Sequence, residues 1–223
     1  MSSPAAIVFD LDGTLVDSRP DLVTAINRMR GELDLAPLGP DAVGRMVGEG
    51  SRLLVQRALG GDPDPGQLRR AHERFLALYS AVCTEATRPY PGITELLERL
   101  ARRQRLALLT NKPEAMTRTI VESFGWDSLL SVLLGGDSMP FRKPDPRTLV
   151  RVAEALALPA ERLLMVGDSR IDAETARAAA VPFLWVEWGY AADEDRAALA
   201  AGPSVATPVE LARWLERAGV PAP

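Results

Sequence analysis

Short apolar runs punctuate this chain, and each stops abruptly at a polar residue or a glycine. Ala5–Phe9 ends at Asp10, Leu106–Leu109 at Thr110, Val132–Leu134 at Gly135-Gly136, Leu163–Val166 at Gly167-Asp168, and Phe183–Val186 at Glu187. Continuous apolar runs of this length are the mark of strands buried on both faces, which is how parallel sheets are built. Helical spacing fills the intervals: Ile93–Arg102, Glu114–Phe124, Pro146–Leu156 and Ala173–Ala180, with a last helix over Val209–Ala218. Strand and helix in alternation predict a doubly wound, Rossmann-like α/β core whose parallel sheet is covered on both faces by right-handed crossovers.

Residues 16–89 break that rhythm. Helical stretches follow one another there (Pro20–Gly31, Asp41–Met46, Ser51–Leu59, Gln67–Ala86), and no strand pattern appears. Leu68, Ala71, Phe75, Leu78, Tyr79 and Val82 fall at helical spacing and define one apolar face. The expected organisation is a catalytic core of residues 1–15 and 90–223 with an inserted all-helical cap over 16–89. The turn-rich stretch Arg88-Pro89-Tyr90-Pro91-Gly92 reads as its hinge.

Composition narrows the chemistry. A chain of 223 residues buries roughly 70% of its unfolded surface and needs no disulfide staple. Net charge is −4, from 26 basic and 30 acidic side chains, which argues against a nucleic-acid partner. No apolar run approaches the ~20 residues of a membrane span. Met1-Ser2-Ser3-Pro4 carries no basic leader pattern, so the expectation is a cytoplasmic protein without an export signal. Cys83 and His72 are the only residues of their kinds, so a disulfide framework, a cysteine zinc cluster and a Ser-His-Asp triad are not expected, and both residues are read as packing residues of the cap. The reaction must then run on carboxylates. Only two of the basic residues are lysines, Lys112 and Lys143, and a lysine kept among so many arginines points to a place that wants a compact ammonium.

In an open parallel sheet, ligands bind beyond the carboxyl ends of the strands. Asp10, Thr110 and Asp168 each stand at such an end, and Lys143 leads into the helix that starts at Pro146. Asp10-Leu11-Asp12-Gly13-Thr14 is the sharpest signal: two carboxylates two residues apart, with a glycine that lets the chain turn so both face one site. A calcium loop would also begin D-x-D, but its sixth position here is Leu15 rather than Gly and its twelfth is Asp21 rather than Glu.

These residues resemble the motifs of the haloacid-dehalogenase superfamily of aspartate-nucleophile phosphohydrolases. Asp10–Ser18 is similar to its first motif, Leu109-Thr110-Asn111-Lys112-Pro113 to its second, Arg142–Pro146 to its third, and Val166–Asp172 to its acidic fourth, all in the family's order. Gly135-Gly136-Asp137 and Trp188-Gly189-Tyr190 add a likeness to the phosphoglycolate phosphatase branch. The resemblance implies Asp10 as nucleophile, Asp12 as general acid and base, and Lys143 beside phosphate and nucleophile. It implies Mg²⁺ at Asp10, Asp168 and the backbone carbonyl of Asp12, with Asp172 holding a metal-bound water. Thr110 and the Asn111 N–H would bind phosphate, and Lys112 would face either the substrate or solvent. In the cap, Gly48-Glu49-Gly50-Ser51-Arg52 would read the leaving group, with Arg45 and Arg52 as candidate cations for a carboxylate.

The implied reaction is hydrolysis of a small phosphomonoester, foremost 2-phosphoglycolate, by a monomer or homodimer. A sugar-phosphate mutase and a phosphatase for another small phosphate, pyrophosphate included, remain alternatives. So does a phospho-accepting signalling module, which would leave Asp12 without a task. A dehalogenase has little use for Asp12, because halide departs without a proton. A phosphonate-cleaving relative would need a cap lysine, and residues 16–89 contain none.

Overall fold

A computed structural model describes residues 4–219. Its centre is β1 (Ala6–Phe9), fully buried and hydrogen-bonded in parallel on both sides, to β4 (Arg105–Leu109) and to β6 (Leu163–Gly167). Beyond β4 lies β5 (Leu130–Leu134); beyond β6 lie β7 (Phe183–Val186) and the two-residue β8 (Ser204–Val205). The order β5-β4-β1-β6-β7-β8 means that the chain first builds outward on one side of β1, then crosses to build on the other. The reversal falls at β1, so Asp10 stands at the switch point where an open sheet forms its ligand crevice.

The apolar runs are continuous because the sheet is covered on both faces, and alternate residues divide between two cores. Ile7, Phe9, Leu106, Leu108, Leu164 and Val166 face α5 (Ile93–Ala101), α6 (Glu114–Ser123) and α10 (Pro208–Arg217). Ala6, Val8, Ala107, Leu109, Leu163 and Met165 face α7 (Arg147–Ala155) and α8 (Arg170–Ala178). No helix among the described residues is long and apolar enough to cross a membrane.

Between β1 and α5 come the four helices α1 (Arg19–Gly31), α2 (Pro40–Gly44), α3 (Ser51–Leu59) and α4 (Pro65–Ser80). They bury Leu22, Ile26 and Met29 of α1 against Leu54 and Val55 of α3 and Leu68, Phe75 and Tyr79 of α4. The rings of Phe75 and Tyr79 stack at 5.5 Å.

Residues 16–89 were expected to be wholly helical. The structure instead pairs β2 (Val16–Asp17) antiparallel with β3 (Arg88–Pro89), where the chain leaves the core and returns to it. Pairs this short carry no readable periodicity. Two further contacts fix the crossing. Asp21, buried in α1, accepts hydrogen bonds from Ala86 N (2.9 Å), Thr87 N (2.7 Å) and Thr87 Oγ1 (2.7 Å). The Tyr190 hydroxyl accepts from Ser18 N at 2.8 Å and donates to Asp17 Oδ1 at 2.9 Å.

Other boundaries move for local reasons. α8 begins at Arg170 rather than Ala173, because Ser169 and Asp172 form a reciprocal capping box. α4 begins at Pro65, capped by the Asp64 side chain, and ends at Ser80 rather than Ala86. The chain beyond it turns toward α1, where Asp21 takes the amides of Ala86 and Thr87. The short α9 (Asp193–Leu199) and β8 add elements between β7 and α10 for which no pattern was assigned from sequence.

Asp21→Ala should strand three donors around Asp21, two of them at buried Thr87, and lower stability by about 3 kcal/mol in urea unfolding, with Asp21→Asn recovering part of the loss.

Candidate active site

Asp10 leaves the end of β1 6% exposed, and the loop after it turns back at once. Gly13 sits at φ +82° and donates its N–H to Val16 O at 2.9 Å. A Cβ there would lie 2.3 Å from Asp168 Oδ2, so the position requires glycine both for its backbone and for the approach of Asp168. The next residue, Thr14, donates its hydroxyl to Asp168 Oδ1 at 2.9 Å across 154 residues of sequence. The other Asp168 oxygen accepts from Tyr190 N at 2.7 Å, and Trp185 Nε1 holds the Asp168 carbonyl at 3.0 Å. Gly189 makes room for this clamp: a Cβ there would lie 2.2 Å from that of Asp168.

Asp172 is fully buried in the first turn of α8, where its carboxylate accepts from Ser169 N and Oγ. Lys143 reaches in from the loop before α7. Its ammonium donates to Asp172 Oδ1 at 2.6 Å and stands 2.9 Å from Asp10 Oδ1. Carboxylate oxygens of Asp10, Asp168 and Asp172 come within 4.8 Å of one another, all three buried. Burial, helped by the neighbouring charges of Asp172 and Asp12, outweighs the pull of Lys143 and pushes the Asp10 carboxyl up to about 6. Burial, with Asp172 and Asp10 beside it, pushes the Asp168 carboxyl well above the usual range. Burial opposes charge on Lys143 too, but Asp10 and Asp172 prevail and hold its ammonium above the ordinary lysine range.

One ammonium, even with its nitrogen 2.9 Å from Asp10 Oδ1, does not balance three carboxylates. A set of buried carboxylate oxygens that converge with more negative charge than one lysine offsets fits a hard divalent cation. The carboxylate of Asp12 is outside this set, so the expected metal role of that residue would fall to its backbone carbonyl alone. That carboxylate is held instead by Ser18 Oγ and by Lys112 Nζ, at 2.8 Å from Oδ1 and 3.0 Å from Oδ2.

Lys112 thus faces inward, 6% exposed, with its ammonium 4.6 Å from the centroid of the Tyr79 ring of α4. Thr110 is buried, and its hydroxyl accepts from Lys112 N. The side-chain amide of Asn111 bridges Lys143 O in the core and Gly48 O in the helical insertion, each at 2.9 Å.

A cavity of about 40 Å³ lies between these groups and the insertion. Asp10, Asp12, Thr110, Asn111 and Lys112 form its floor; Leu22, Val47, Leu54, Phe75 and Tyr79 form an apolar roof, with Gly48, Gly50 and Ser51 at the side. Arg45 and Arg52 do not reach it. Arg52 is exposed and lines no part of the cavity, whereas Arg45, also exposed, lines a neighbouring groove of about 240 Å³ that Asp10, Asp12, Gly48 and Asp168 line as well. Arginines at the ends of short helices extend into water unless a carboxylate anchors them. Tyr79 had only its apolar helical spacing to mark it, which does not separate a cavity wall from a core position. Ser51, at the start of α3, meets His72 Nε2 at 2.8 Å, so the one histidine is a hydrogen-bonded residue of the cavity wall's support.

Gly189→Ala should drive a methyl into the Asp168 side chain and lower the urea midpoint by an amount worth about 1–3 kcal/mol. An unchanged midpoint would show that Asp168 can move aside freely.

The family model described as haloacid dehalogenase-like hydrolase matches residues 4–180. The chain is 44% identical over 195 residues to a phosphoglycolate phosphatase of Rhodospirillum rubrum, covering 84% of this chain and 81% of that protein. It is 37% identical over 228 residues to one from Mesorhizobium japonicum, covering 98% and 99%. The crystal structure of a Haemophilus somnus protein, itself described as a predicted phosphoglycolate phosphatase, superposes with a TM-score of 0.81 at 32% identity, covering 86% of this chain and 89% of that one. The chain belongs to the haloacid dehalogenase-like hydrolase family, as one of its phosphatases.

Proposed function

We propose that this enzyme hydrolyses small phosphate monoesters through an aspartyl-phosphate on Asp10, with 2-phosphoglycolate as its substrate. One observation carries the reading: carboxylates from the ends of two strands and from the first turn of α8 meet around a single buried lysine at the switch point of the sheet. Structural ion pairs rarely gather three buried acids about one base, because the uncompensated charge is costly.

In the first step a carboxylate oxygen of Asp10 attacks phosphorus, and the bond from phosphorus to the leaving oxygen breaks. Asp12 supplies a proton to that oxygen. In the second step Asp12 takes a proton from the attacking water, which releases phosphate from Asp10 and restores both residues. Ser18 and Lys112 hold the Asp12 carboxylate in place for this alternation. Lys143 keeps Asp10 aimed and offsets the charge of the phosphoryl oxygens, and Thr110 and the Asn111 N–H receive phosphate at the strand end. The hard oxygen set of Asp10, Asp168 and Asp172 fits Mg²⁺, which when bound would neutralise phosphate charge.

The substrate reading has two supports. The relatives of Rhodospirillum rubrum and Mesorhizobium japonicum are phosphoglycolate phosphatases. The cavity roof is apolar, which offers the hydroxyl-rich ring of a sugar phosphate few hydrogen-bond partners.

Turnover of p-nitrophenyl phosphate with Mg²⁺ tests the class, and Asp10→Asn should lower it by roughly 10⁴-fold or more while leaving the fold intact. Substantial residual activity would remove Asp10 as nucleophile. Mg²⁺ should also raise the melting temperature of the wild-type protein and leave that of Asp168→Asn unmoved, since an ion that binds only the native state stabilises it. Among small phosphomonoesters, kcat/KM should be highest for 2-phosphoglycolate; parity with sugar phosphates would overturn the substrate.

A further inference from the structure

We infer that Lys112 determines substrate choice by pairing with a carboxylate on the leaving group, so that the enzyme selects phosphomonoesters whose alcohol carries an acid one carbon from the ester oxygen. The inference rests on the phosphatase reading above and adds a residue to it.

Charge is the first argument. Among the described residues lining the cavity, Lys112 is the only cation. The Lys143 ammonium is committed to Asp10 and Asp172, Arg52 is exposed, and Arg45 lines the neighbouring groove rather than this cavity. Arg57, the next basic residue on α3, pairs with Glu49 at the surface. An anionic leaving group enclosed under Leu22, Leu54, Phe75 and Tyr79 meets no other positive group among the lining residues, and a buried carboxylate without one is strongly disfavoured.

Position is the second. Lys112 Nζ lies 2.8 and 3.0 Å from the two oxygens of Asp12, the residue that serves the ester oxygen. The carboxylate of 2-phosphoglycolate is one methylene from that oxygen, so it falls beside Asp12, where the ammonium stands. Two of the three ammonium donors are engaged by Asp12, which leaves the third for the ligand.

The seat is the third. The ammonium stands 4.6 Å from the Tyr79 ring centroid, so the face of a helical-insertion aromatic holds it in register with the core. A compact ammonium fits between ring and carboxylate, whereas the broad guanidinium used almost everywhere else in this chain would not.

The test compares 2-phosphoglycolate with ethyl phosphate, in which a methyl replaces the carboxylate, for the wild-type enzyme and Lys112→Met. Wild type should prefer 2-phosphoglycolate in kcat/KM by roughly 10²-fold or more, and Lys112→Met should bring the two esters to near parity. Lys112 also touches Asp12, so turnover of both esters falls in the variant; the ratio isolates recognition from that shared loss. An equal fall for both, with the preference kept, assigns Lys112 to Asp12 alone and overturns the inference. Wild-type turnover of both esters without preference overturns it while leaving the phosphatase reading standing. Turnover of neither overturns both. Should Lys112→Met fail to fold, Tyr79→Leu, which removes the seat and leaves the charge, should lower the same preference; an unchanged preference there overturns the inference.

Discussion

A lysine held between Asp10 and Asp172, with Asp168 within reach of both, is the contact on which the rest of this site depends. Three buried carboxylates repel one another and lose their hydration, so nothing in ordinary packing would favour their assembly. What brings them together is covalent and topological. Asp10 and Asp168 continue the central strands β1 and β6, which are neighbours in the sheet, so their loops leave the same edge side by side. Asp172 is carried by the helix that begins right after Asp168, and its capping box with Ser169 fixes that helix's first turn. The glycines at 13 and 189 remove the side chains that would otherwise occupy the Asp168 carboxylate's place.

The helical insertion is tied to that edge by small polar contacts as well as by apolar packing, since Leu22, Ile26 and Tyr79 belong to the same buried cluster as Phe9, Leu11 and Leu15. Asp21 collects the amides of Ala86 and Thr87, the Tyr190 hydroxyl joins Ser18 to Asp17, and Asn111 bridges Gly48 and Lys143. The last two reach the site itself: Ser18 also touches Asp12, Tyr190 also holds Asp168 through its N–H, and Asn111 lines the cavity. The insertion and the core therefore share residues at their junction, and the position of the roof over the cavity is coupled to the arrangement of the acids beneath it.

Much of this was legible from residue order alone. The apolar runs named the five longer core strands, because continuous burial on both faces leaves an unambiguous pattern. The D-x-D-G turn, the threonine and the second acidic pair fell at strand ends, so their convergence followed once the sheet was parallel. The pairing of β2 with β3 did not show, since two residues carry no period, and α9 lay in a stretch without a clear apolar face. Arg45 and Arg52 were marked by type and by loop, yet which cavity such a side chain lines is settled by the turn it stands on: Arg45 lines the groove beside Asp10 and Asp12, and Arg52 is exposed.

Sequence by itself determined which chemical groups are present, in what order, and at which ends of which strands, because backbone periodicity and turn chemistry act over a few residues. Lys112 marks the limit of that information. Its neighbours in the chain left two directions open, toward ligand or toward water, and the choice was made by Asp12, 100 residues earlier, and by the ring of Tyr79 on a helix of the insertion. Only the folded chain brings those partners within ångströms of one ammonium, since side-chain direction in a loop is decided by whichever distant groups satisfy its charge.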